Sequence, residues 1–415
     1  ACGNGYDGPS MRRLIGPLPS VRLEPTALIY PGAFLTIVGE GLLNLGVVYF
    51  LRERYGASPG LIGGFMAYSV LVYVAGCLLL RPVFERLPYP LSLSIAASGM
   101  PLSVLLLVVV PSLPLTFLFG GLHRLSAAFF WPPAMGWLSQ GVEGAPLNRR
   151  QSRFNLSWSM GLVAGYALAG IAGQHSLRLP LLLSIAVMSA YALYFAMTLA
   201  AAPALRPSLS LQPASPAAFR AARPASRYGE GTPLRYPAWI GMFASYVVSG
   251  MVSAVFPLFA TEALKAAKGL VGMLIASRTL AQSLGFLLLG TVGFWHYRKR
   301  FLVAAQSFLA ALLLLMLPAR SAAFYAILLP LLGLASAMSY AAGLFYGIAG
   351  SSRRAGRMAV HEAVLNSGYI CGSLASGLLY QHFSMAAVVL FCLGCSLLAV
   401  LAQYLLLRRI RQALR

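Results

Sequence analysis

Three ionisable side chains stand where few are tolerated. Glu40, Arg124 and Arg278 each fall near the middle of a long apolar run. An ionised side chain at the centre of a bilayer costs about 2.5–3.5 kcal/mol on insertion scales, so each is expected to face protein or water. Thr36, Glu40 and Asn44 are spaced four apart and line one helix face. A carboxylate there can bind and release a proton. Arg124, planar and always charged, can pair with that carboxylate or receive an anionic group. Three readings follow: a proton carrier at Glu40, an anion receptor at Arg124, or an ion pair that ties helices together. Arg278 has Gln282 one turn further on, with Ser277 and Ser283 nearby. It is expected either to face an interior space or to pair with carbonyls or with Glu362, which follows His361 near the edge of its run. One Glu against two Arg leaves one surplus positive charge, which leans toward an anionic or carboxylate-bearing ligand. His123, next to Arg124, is expected on another face as a packing or hydrogen-bonding residue.

The elements that position these residues follow from composition. Hydrophobic residues make up 59% of the 415-residue chain and charged residues 10%, against about 25% charged in soluble domains. Lipid is therefore the expected solvent. A spanning helix needs about 20 apolar residues, and the runs fall near 27–51, 58–80, 91–110, 113–139, 155–174 and 179–202. A second set falls near 237–260, 269–294, 301–317, 321–348, 360–380 and 384–407. The prediction is an all-α integral membrane protein of twelve spans. Its parts are a tail (1–26), a six-helix half (27–202), a linker (203–236), a second half (237–407) and a short tail (408–415). The linker, rich in Pro, Ser, Ala and Arg, cannot bury enough apolar area to fold alone, beyond a short amphipathic helix at the membrane surface. Residues 1–10 read as a leader, with Met11 as a candidate natural start and no cleavable signal peptide.

Of the 31 Lys and Arg residues, 23 fall on the side of the two tails and the linker, 6 on the other and 2 inside spans. That bias places both termini in the cytoplasm. It also removes the nucleic-acid reading that a net charge of +22 would invite in a soluble protein, because the basic residues are scattered in short loops facing anionic lipid. Cys392 and Cys395 form a CxxC inside an apolar run, read as packing rather than a metal or redox site.

The segment from Arg150 to His175 recurs 207 residues later. Arg150 matches Arg357, Gly161 matches Gly368, Gly165 matches Gly372, Gly170 matches Gly377, and Gln174-His175 matches Gln381-His382. An offset of half the chain implies two similar units in tandem. Small residues about four apart allow helix backbones to approach closely in lipid, and the glycines are read as packing contacts. Gly241, Ser245, Ser249 and Ser253 make another such stripe, and Trp131-Pro132-Pro133 predicts a kink in the fourth span.

Two six-helix halves in parallel repeat, with a central linker and both termini inside, resemble the major facilitator superfamily. Local motifs agree in order. The 2–3 loop, RPVFERLPYP, carries Glu85-Arg86 where that family has an acid followed by Arg, with Arg81 in place of the usual glycine. Arg124 in HRLSAAFFWPPAMG is similar to the family's membrane-embedded Arg of the fourth helix. GLVAGYALAGIAG is similar to its glycine-rich fifth helix. The resemblance implies alternating access around a site between the halves. It implies a secondary transporter of a small-molecule substrate in a bacterial inner membrane, monomeric, with a proton as candidate coupling ion. The site residues would be Glu40, Asn44, Arg124, Arg278 and Gln282, with Glu85 and Arg86 in a cytoplasmic gating loop. Tyr68, Tyr340, Tyr346 and Tyr369 would be candidates for its walls. No cofactor or metal is called for. GxxxxGK[ST] is absent, so direct use of ATP is not expected. His361-Glu362 lacks the second histidine of HExxH, and no Ser-His-Asp set is evident. The competing readings are a non-transporting receptor on the same fold and, behind it, a polytopic membrane enzyme.

Overall fold

Fifteen helical segments and no strand make up the computed structural model among its described residues, which are 26–84, 86–140, 144–201, 232–349 and 354–413. The first half comprises α1 (Thr26–Tyr55), α2 (Pro59–Leu79), α3 (Arg81–Phe84), α4 (Tyr89–Val109), α5 (Leu113–Ala128), α6 (Trp131–Ser139), α7 (Gly144–His175) and α8 (Leu179–Ala201). The second comprises α9 (Arg235–Ala254), α10 (Phe256–Glu262), α11 (Lys268–Thr291), α12 (Lys299–Met316), α13 (Ala322–Ile348), α14 (Arg354–His382) and α15 (Met385–Ala413). The α5–α6 and α9–α10 pairs are each one broken span, and α3 is a single turn in a loop. Twelve spans result, six on each side of the linker. The leader and most of the linker, including any amphipathic helix there, lie outside the described residues.

Both broken spans have a proline at the break. Pro133 cannot donate to the Phe129 carbonyl one turn back. Ser92 Oγ donates to that carbonyl instead, at 2.9 Å. The seventh span, expected to be continuous over 237–260, is divided at Val255, two residues before Pro257. Eleven spans are long and apolar enough to cross a bilayer on composition alone. The other, α14, is 29 residues long but carries His361, Glu362 and Asn366. It packs on α9 and on α2 of the other half, so protein rather than lipid surrounds much of its surface.

The repeated glycines explain the repeat. A Cβ at Gly161 or Gly165 of α7 would stand 2.5 Å from the carbonyl of Phe34 or Val38 of α1. A Cβ at Gly368 would stand 2.5 Å from the Phe243 carbonyl of α9, and one at Gly372 would strike the Val247 carbonyl. These contacts lie within one half. The third glycine of each set packs across the halves. Gly170 of α7 lies against Lys268 and Gly272 of α11, and Gly377 of α14 lies against Pro59 and Gly63 of α2. Gln381 extends the second crossing by accepting from the Gly60 N–H at 3.1 Å. Gln174 abuts Gly269 at the matching place.

All these crossings lie at the end of the bundle opposite the chain termini. One continuous apolar cluster there joins both halves, including Val48 and Leu51 of α1 with Val252 and Phe256 of the second half. At the end nearer the termini the cores are separate. One, around Trp137, Phe154 and Tyr191, belongs to the first half, and another, around Trp295 and Tyr346, to the second. Two ion pairs reinforce the joined end. Arg52 Nε lies 2.7 Å from Glu262 Oε1, and Lys268 Nζ lies 2.6 Å from Glu53 Oε1, each between halves.

Candidate functional site

Glu40 is 2% exposed and sits midway along α1. Its Oε2 lies 2.8 Å from Arg124 Nη1. The same guanidinium donates through Nη2 to Asn44 Oδ1 at 2.7 Å. One helical turn separates Glu40 from Asn44, so a single arginine from α5 reaches both. Thr36 is buried on the same stripe. The expected grouping of Glu40, Asn44 and Arg124 is therefore present.

His123 departs from expectation in its partner. Adjacent residues on α5 point about 100° apart, yet both reach the Glu40 carboxylate, which lies between their directions. His123 Nε2 is 2.9 Å from Glu40 Oε1, and its Nδ1 is 3.2 Å from the Met100 carbonyl of α4. The ring is 1% exposed. A histidine beside an arginine gave no sign of this in the sequence, because the shared acid lies 83 residues away.

Arg278, 7% exposed, has no carboxylate partner among the described residues. Its Nη2 donates to Ser249 Oγ at 2.7 Å and reaches Ser336 Oγ at 3.4 Å. Its buried Nε has no hydrogen-bond partner in the structure. The expected pairing is thus corrected: hydroxyls of α9 and α13 take the place of carbonyls or Glu362. Gln282 is half-buried and lies beside Gly333, where α11 and α13 pack closely.

Tyrosines fill the ground between the two arginines. Tyr166 of α7 and Tyr369 of α14 both lie near Ser253, and both lie within the field of Arg124 and of Arg278. Tyr246 lies within the field of Arg278 and of Glu362. Glu362 is not a loop-edge residue. It occupies the third turn of α14, is exposed, and still lies within range of Tyr73 and Cys77 of α2 and Tyr340 of α13. This exposed carboxylate is thus flanked by groups from both halves. Tyr340 and Tyr369 stand in this set. Tyr346 does not: it is buried in the second half's own core and bonds the Trp295 carbonyl at 3.4 Å. Tyr68 leans on Phe117 and Gly121 within the first half. Tyr73, Tyr166 and Tyr246 were missed, and Glu362 was named only as a partner for Arg278, because their membership depends on how the halves meet.

Arg86 is exposed in the turn after α3, and Glu85 lies outside the described residues, so that loop contributes no geometry to the site. No group of three or more His, Cys, Asp or Glu able to hold a metal occurs among the described residues.

Residues 238–414 match the family described as Major Facilitator Superfamily. No curated protein sequence matches the chain. Among solved structures, the nucleoside transporter NupG superposes with a TM-score of 0.68 at 14% identity, covering 93% of this chain and 99% of that one. The peptide transporter POT bound to alafosfalin superposes with a TM-score of 0.76 at 12% identity, covering 93% and 94%. At such identities the likeness speaks for the fold.

Proposed function

We propose that the chain belongs to the major facilitator superfamily, whose family model matches its second half and whose fold the solved transporters share over nearly all its length, and that it is a proton-coupled secondary transporter of a small anionic or carboxylate-bearing molecule. The observation that carries this reading is the contrast between the two ends of the bundle. The halves share one core at one end and have separate cores at the other, which is the geometry of a rocking pair caught open on one side. Orientation comes from the excess of Lys and Arg on the side of the termini. The joined end is then periplasmic and the open end cytoplasmic, in a bacterial inner membrane.

In this reading substrate occupies the space bounded by Arg278, Glu362 and the tyrosines. Arg124 is already engaged by Glu40 and Asn44. Arg278 has only hydroxyl partners, which favours it as the anion receptor. Glu40 is the acid of the proton-coupled half. The structural neighbours are a nucleoside transporter and a peptide transporter, and peptides carry the carboxylate that Arg278 suits.

The test is reconstitution into liposomes and uptake of labelled small carboxylates, amino acids and dipeptides under an imposed proton gradient. The expected result is gradient-driven uptake of a carboxylate that Arg278→Ala abolishes. Gradient-independent binding without uptake would favour a receptor instead, and transport of neutral molecules alone, unchanged in Arg278→Ala, would overturn the anion assignment.

A further inference from the structure

The two nitrogens of His123 face two oxygens, and that arrangement constrains where a proton must be. Nδ1 lies 3.2 Å from the Met100 backbone carbonyl, which can only accept. Nε2 lies 2.9 Å from Glu40 Oε1. An ionised carboxylate can only accept as well. A neutral imidazole carries one N–H. With Glu40 ionised, a neutral His123 leaves a bare ring nitrogen against an oxygen lone pair at one of the two contacts. Only two protonation states satisfy both contacts. Either His123 is an imidazolium donating to both oxygens, or Glu40 is protonated and donates to Nε2 while Nδ1–H donates to Met100. Both states hold one proton more than neutral histidine with ionised glutamate.

Among the described residues no other acid and no other histidine contacts the pair, and α7 and α8, packed on α1, bring Tyr166 and Tyr191. Arg124, on the same helix, engages the second Glu40 oxygen and Asn44. On α4 the only ionisable side chain is Tyr89, at its first residue. Nearby α2 offers Tyr68, Tyr73 and Cys77, and α6 offers none. On α1, Glu40 is the only acid in the middle of the helix. With the His123 ring 1% and the Glu40 side chain 2% exposed, water is poorly placed to relieve an unmatched pair.

We infer that His123 and Glu40 share one bound proton, and that this pair, rather than Glu40 alone, is the proton-binding site of the first half. The inference rests on the transporter reading for its role, but not for its existence. Together with Arg124 the protonated pair carries one net positive charge, and without the proton it carries none. Tyr369 lies within the field of Glu40, Arg124 and Arg278, so the pair and the anion receptor share one electrostatic environment. A bound proton then favours a bound anion, and by linkage the anion favours the proton to the same extent.

Solid-state nitrogen NMR of the full chain in lipid, with histidines labelled, reads ring protonation directly. Infrared absorption reads protonated carboxyl groups in the same sample. The chain has five histidines, and at about pH 7.5 a solvated imidazole is charged only about one-tenth of the time. The expected result is either one fully protonated ring or one buried protonated carboxyl at that pH. His123→Gln should remove the former, and Glu40→Gln should remove either signal. If His123→Gln does not fold, Glu40→Gln still identifies the pair, because among the described residues Glu40 has no other histidine partner. A neutral His123 beside an ionised Glu40 would overturn the inference. No substrate enters this measurement, so that result would leave the transporter reading intact. Conversely, a positive signal in a protein that transports nothing would leave the proton site standing without the coupling.

Discussion

Arg124 in the first half and Arg278 in the second lie near the middle of their helices, but their surroundings differ in charge. Arg124 meets a carboxylate at 2.8 Å and an amide oxygen at 2.7 Å. Arg278 meets two serine hydroxyls and keeps one buried N–H without a partner. A buried charge without a counter-charge is costly, and the fold tolerates that cost in only one half. The scaffold glycines repeat between the halves, while these charges do not. Under the proposed function the difference assigns separate tasks: the first half balances its charges internally and exchanges a proton, and the second leaves an arginine open to a ligand.

The sharpest way to break this comparison is to remove the acid. Glu40→Leu leaves Arg124 buried against Asn44 alone and His123 without its partner. Removing one member of a buried ion pair costs about 3–5 kcal/mol, so a large drop in thermal stability in detergent or nanodiscs is expected. Arg278→Met removes a charge that has no counter-charge to strand, and should cost less than about 1 kcal/mol. Equal losses in the two variants would mean that Arg278 has a structural partner after all.

Removing a hydroxyl sharpens the second half of the comparison. Ser249 Oγ is the shorter of the two contacts to Arg278. A hydrogen bond to a charged group contributes about 1.5–3 kcal/mol, so Ser249→Ala should destabilise the unliganded protein more than Arg278→Met does. The ordering of those two melting curves is the check. A serine that merely packs would give the reverse order.

The glycines allow the same contrast to be drawn within one helix. Gly372 abuts α9 of its own half, and Gly377 abuts α2 of the other. Gly372→Leu overpacks a contact inside the half and is expected to cost about 1–3 kcal/mol of stability. Gly377→Leu should be accommodated by separating the halves at the joined end. Its readout is faster labelling of a cysteine placed at Val271 by a membrane-impermeant reagent, with a smaller change in melting.

How much of this was legible in the sequence depends on distance along the chain. Spans followed from apolar length, and the tandem halves from the Arg, Gly and Gln-His matches. Glu40 with Asn44 was legible because one turn joins them, and Arg124 because a charge in an apolar run needs a partner. The bond from His123 to Glu40 was not legible, since it depends on the angle at which α5 crosses α1. The serines around Arg278 were equally hidden, because small hydroxyl residues in membrane helices also serve as packing surface. The break at Val255 was overlooked although Pro257 announced it. Glu362 was misjudged as a loop edge because its surroundings come from α2, in the opposite half.

The smallest effect concerns the two ion pairs that join the halves. Arg52 and Glu262 are each about one-third exposed, at 36% and 37%, and Glu53 is 45% exposed against 23% for Lys268. Exposed pairs contribute about 0.2–1 kcal/mol and weaken with salt, far less than the apolar cluster beneath them. Arg52→Gln or Lys268→Gln should therefore leave melting almost unchanged. In the proposed rocking cycle both pairs exist only while the joined end is closed, so losing one biases the two-state balance by its full small value. A change of about 0.5 kcal/mol alters that ratio by roughly a factor of two. Labelling at Val271→Cys should rise by about that factor in each variant and by about its square in the double variant. High salt should erase the difference. If the single variants do not change labelling at low salt, the apolar cluster alone holds that end shut, and the asymmetry between the ends owes nothing to charge.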